Sequence, residues 1–124
     1  MAFVLDLSDG YTWPVEFSLA VDGGHETQTF EARFARVSQE RTEQLLRAGR
    51  EYAMSLPDGQ PAAGMSDRDI AEELLIGWSD VKDGKGGEVP FSKAAKGKLL
   101  SVPGVAAAVM TAWCKSLRAA KEGN

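Results

Sequence analysis

The apolar residues of this chain change their period once, near residue 38, and that change restricts the folds open to it. Before it the period is two. Phe3, Leu5 and Leu7 alternate with Val4 and Asp6, and Val15, Phe17, Leu19 and Val21 alternate with Glu16, Ser18 and Ala20. Such alternation marks strands with one apolar face. Asp22-Gly23-Gly24-His25 supplies a tight turn, and Phe30, Ala32 and Phe34 share one face of a return strand spanning roughly Thr27 to Val37. Pro14 is placed at the start of its strand, where a missing N–H is tolerated. Two or three antiparallel strands result, and so small a sheet needs a covering layer.

After residue 38 the period is helical. Ser38 is an N-cap, and Thr42, Leu45, Leu46, Gly49, Tyr52, Ala53 and Leu56 recur at helical spacing opposite Glu40, Glu43, Arg47, Arg50 and Glu51. This helix is the expected cover for the sheet, ending near Leu56 before Pro57-Asp58-Gly59. Residues 57–65 read as a flexible linker. Ser66 with Asp69 forms a capping box for a second helix, whose stripe is Ile70, Ala71, Leu74, Leu75 and Trp78. A polar loop over 79–90 follows. Ser92 caps a short helix to about Leu100, and Pro103 suits the first turn of a last helix to about Ala120, with Val105, Val109, Ala112, Trp113 and Leu117 as its stripe. The expected fold is α+β in a single domain, 1–124. Hairpin and helix occupy 1–56, with a helical part over 66–124.

The residues offer little chemistry. His25 is the only histidine and sits in the turn without an orienting partner, and Cys114, the only cysteine, lies on the last helix as a half-buried structural residue. A calcium loop begun at Asp80 would place Lys82, Lys85 and Phe91 at its third, sixth and twelfth positions, which fails the pattern. Gly84-Lys85-Gly86-Gly87 is not a phosphate-binding loop. No catalytic residue, cofactor or metal site is expected. The segment MAFVLDLSDG lacks a basic start and is interrupted by Asp6, so it is not read as a signal peptide. Charge is uneven: residues 1–88 carry a net −9 and residues 89–124 a net +5. The basic third either folds onto the acidic part or meets an acidic partner or a second copy.

The run LLIGWSDVKDGKGGEVPFSKAAKGKLLSVPG, Leu74 to Gly104, resembles the tail assembly chaperones of siphovirus-type phages, as does Phe30-Glu31-Ala32-Arg33-Phe34. The shared marks are Gly77, Trp78, Pro90, Phe91, Ser92, Pro103 and Gly104, and the likeness spans roughly residues 15 to 121. The resemblance implies a non-catalytic protein of the bacterial host cytoplasm, absent from the finished virion. It would bind the tape measure protein and keep it soluble for assembly of the tail tube, with a longer frameshifted product often made from the same gene. The tail-tube protein is a further candidate partner, and self-association is expected. Trp78, Phe91, Val109, Trp113 and Leu117 are the residues expected to shape a groove for a partner helix. The rival expectations are a structural virion protein, such as a tail or head–tail joining subunit, a small regulatory nucleic-acid-binding protein, and a small enzyme or nucleotide binder.

Overall fold

A computed structural model describes residues 3, 5, 8–55 and 63–121. Its elements run β1 (Gly10–Val21), β2 (Gly24–Ala35), α1 (Gln39–Ser55), α2 (Asp67–Leu74), β3 (Leu75–Ser79), α3 (Lys93–Leu100) and α4 (Val105–Lys121). The fold is α+β. One antiparallel sheet of order β1-β2-β3 is followed by helices, and α4 lies along β1 while α2 packs against α4, β2 and β3. Among the described residues no single helix is long and apolar enough to cross a membrane.

The hairpin follows from its alternation. Tyr11, Trp13, Val15 and Phe17 turn toward the helices together with Phe30, Ala32 and Phe34, while Thr12, Glu16 and Ser18 stay exposed on the other face. Val21 pairs with Gly24, so the turn is Asp22-Gly23, with Gly23 at φ 78. Pro14 lies inside β1, not at its start, and pairs with Glu31. The register explains why it is tolerated. Arg36 N–H donates to Asp9 O at 2.9 Å, so the odd-numbered residues of β1 exchange the ladder hydrogen bonds. Pro14, being even, turns its nitrogen to the free edge and costs the ladder nothing. Phe3 and Leu5 belong to no strand and are 75% and 83% exposed. Val4, Asp6 and Leu7 lie outside the described residues.

Two expectations about the layers are corrected. The helix that covers the sheet is α4, not α1. Charge occurs all along α1 and only Leu45 is buried from it, whereas α4 places Val105, Val109, Ala112 and Trp113 in the core. Alanine and valine let α4 approach the sheet closely, and the charges of α1 hold it at the margin. There it meets α2. Ile70 reaches within 3.3 Å of where a Cβ on Gly49 would stand, and Arg41 grips Glu73 through two hydrogen bonds of 2.7 and 2.5 Å.

The second correction concerns residues 75–79. The apolar stripe through Trp78 predicts continued helix, but α2 stops at Leu74 and the chain becomes β3. Part 66–124 is therefore not purely helical, because β3 completes the N-terminal sheet. Glu31, Ala32, Arg33 and Phe34 of β2 pair with Ser79, Trp78, Gly77 and Leu75, which leaves Ile76 as a bulge. Leu75, Ile76 and Trp78 suit a strand, and Gly77 is a poor helix residue. Lys96 of α3 secures the break. Its ammonium group donates to Glu72 O at 2.7 Å and Leu75 O at 3.2 Å, carbonyls at the end of α2.

The cap residues stand where expected. Ser38 Oγ accepts from Arg41 N, Ser92 Oγ accepts from Ala95 N, and Ser66 and Asp69 complete a reciprocal capping box. Residues 57–62 of the expected linker lie outside the described residues. Residues 63–65 are tied down: Ala63 N–H donates to Ser55 Oγ and Met65 N–H to Ala48 O. Gly64, at φ 76, lies so close that a Cβ would stand 2.1 Å from Ala48 O. Replacing Lys96 by Met leaves two carbonyls without their donor. It should lower the unfolding free energy by about 1–3 kcal/mol, read as a lower urea midpoint at unchanged slope.

Candidate partner-binding site

Among the residues marked by the resemblance, Trp78 and Phe91 form one local unit. Trp78 on β3 is half-buried, and its indole N–H donates to Val89 O at 2.8 Å. That bond draws residues 89–91 back along the strand and sets Phe91 edge-on to Trp78, with ring centroids 4.9 Å apart. Lys96 then stands 5.7 Å from the Phe91 ring centre, where a cation is favoured over an aromatic face. Pro90 is exposed, Ser92 caps α3, and Pro103 and Gly104 make the turn into α4. Pro103 precedes that helix instead of occupying its first turn. Gly104 sits at φ 89, a conformation that side chains disfavour, and its carbonyl accepts from Ala108 N.

The loop between Trp78 and Phe91 is closed by its own bonds. Val89 N–H donates to Val81 O, Asp83 N–H to Gly87 O, and Lys82 pairs with Glu88. The Asp83 carboxylate accepts from the amides of Lys85 and Gly87 at 2.8 and 2.9 Å, which holds its pKa below the usual carboxylate range. Asp83 and Glu88 are thereby occupied with the turn itself.

Trp78 and Phe91 border an open groove of 340 Å³ on the face of the sheet away from α4, lined also by Thr12, Glu31, Arg33, Gly77 and Ser79. Gly77 shapes its floor, since the Arg33 side chain passes within 3.4 Å of where a Cβ would be. The expectation that the last helix shares this groove is corrected. Val109 and Trp113 are 0% and 1% exposed, buried between α4 and the rest of the core, so a partner on the surface does not touch them. Leu117 is half-buried and lines a separate hollow of 180 Å³ with Tyr11, Val37 and Thr42. An apolar helical stripe identifies a buried face but not what buries it. Arg33 and Glu31 escaped the sequence reading. On a strand facing away from the core they carry no signal beyond alternation.

The remaining candidates keep apart. His25 is exposed at the hairpin turn, and Cys114 is half-buried on α4, where burial raises its thiol pKa. Cys114 should therefore react with a disulfide reagent at pH 8 at least about tenfold more slowly in the native protein than in denaturant. Asp83 gives a second check. Its folded pKa is depressed, so its contribution to loop stability is present above the unfolded pKa and is lost as pH falls through the folded one. Carboxyl NMR should place its midpoint below that of an unfolded aspartate, and Gly87 amide exchange should speed up through the same acid range. No family model, curated protein or solved structure matches the chain.

Proposed function

We propose that this chain is a tail assembly chaperone that binds the tape measure protein of a long-tailed phage in the host cytoplasm. The resemblance over Leu74 to Gly104 motivates the reading. The observation that carries it is the Trp78–Phe91 pair, two half-buried aromatic rings at the border of a 340 Å³ groove. Half-exposed aromatic side chains ringed by charge suit a partner with a long apolar stripe, such as an unassembled tape measure helix. Arg33, Glu31 and Lys96 supply the charged surround. The groove is open, so a helix is able to lie across it and leave when tail-tube subunits replace it. The role needs no bond-making chemistry.

Co-expression tests this directly. The chain should keep the tape measure protein soluble, and Phe91→Ala should weaken its capture by about tenfold, an anchor-sized loss. Trp78 is a poorer probe because its indole holds residue Val89 in place. A tape measure protein equally soluble with and without the chain overturns the proposal. Mass spectrometry of purified virions should lack the chain, and finding it there in stoichiometric amount assigns it to the structural subunits instead.

A further inference from the structure

The far end of the β1–β2 hairpin reaches beyond the layers that cover the sheet. Phe17 and Phe30 are the last apolar hairpin residues packed on the core, and they meet edge-on at 6.4 Å. Beyond them Leu19 and Val21 continue the same face, with Val21 43% exposed and neither packed against the core. Glu26 pairs with Leu19 across the hairpin, so its carboxylate shares that face, where it accepts from Gln28, and Asp22 stands in the turn. The tip thus presents two apolar side chains flanked by two acids. Neither acid has a cation within salt-bridge distance among the described residues.

A complementary surface lies elsewhere on the chain. Beside β1, a groove of 260 Å³ runs between Trp13 and α4. Ala108, Ala112 and Trp13 give it an apolar lining, and Thr111 and Lys115 form its α4 rim. Arg118 follows Lys115 one turn on, exposed. Glu16, Pro14 and Thr29 make the opposite wall. From Lys93 to Arg118 the sequence contains no acid, and among the described residues neither Lys115 nor Arg118 has an ion-pair partner.

We propose that the hairpin tip of one copy docks in the β1–α4 groove of a second copy, with Leu19 and Val21 on Trp13 and Ala108 and with Asp22 and Glu26 toward Lys115 and Arg118. The tip cannot use its own groove. Trp13 and Leu19 lie on one continuous strand, roughly 20 Å apart at ~3.4 Å per residue. The contact therefore joins two different surfaces and repeats head to tail, closing into a ring or running on as a filament. It leaves the Phe91 groove free, so it stands or falls separately from the chaperone reading.

Sedimentation of the full chain tests the contact. In ~20 mM salt, species heavier than the 13.3 kDa protomer should grow with concentration, and in ~0.5 M salt they should fall back toward it. Asp22→Lys with Glu26→Lys should abolish the association, as should Lys115→Glu with Arg118→Glu, with circular dichroism unchanged. Mixing the two reversed proteins should restore it. Val21→Ser removes the anchor without altering charge and should weaken association. A chain that stays monomeric at low salt, assemblies indifferent to the hairpin reversal, or reversed proteins that fail to associate on mixing would each overturn the proposal.

Discussion

Across the middle of the sheet, Trp13, Ala32 and Trp78 stand in one register row, and Ala32 is fully buried. A methyl group in the centre leaves room for an indole on either side. A larger residue at that position would push one of the flanking strands out of register or its tryptophan off the core. This row joins the halves of the chain, because Trp13 comes from the first strand and Trp78 from a segment beyond α1 and α2. Once Trp78 is seated, Val89 O is held by its indole, Phe91 is turned onto the ring, and α3 starts where Lys96 reaches the end of α2. The position of α4 over β1 follows from that placement and from Tyr11, whose hydroxyl meets Ser116 Oγ at 2.7 Å.

What the residues disclosed in advance was local. The hairpin turn, the three serine caps and the buried stripe of α4 each depend on neighbours within a few positions, and each lies where its pattern places it. What they concealed was long-range. Residues 70–78 satisfy a helical spacing, and only the unpaired side of β2, some forty residues earlier, makes Leu75–Ser79 a strand. Likewise α1 and α4 both have apolar stripes. The choice of α4 as cover depends on how closely each can approach the sheet, which charge at the margin of α1 limits.

The candidate site was legible in the same uneven way. Trp78 and Phe91 attracted notice as aromatic residues beside a glycine-rich loop, and they do meet. The helix expected to share their groove lies on the other face of the sheet. Sequence periodicity marks a face as apolar without saying which layer it enters, so Val109 and Trp113 looked available when they form the core. The loop read only as a polar stretch, while Asp83, Val81 and Glu88 close it with bonds that only the folded geometry reveals.

Pro14 turns its ring nitrogen to the open side of β1, and so removes a donor from the middle of that strand's free edge. A strand arriving there would find its ladder interrupted at that point. Edge prolines of this kind disfavour strand-to-strand stacking into an ever-growing sheet, the route by which exposed strands become insoluble. Contacts made by side chains at the hairpin tip or in the grooves escape that veto. One imino acid on that edge thus limits how another strand can add to the sheet.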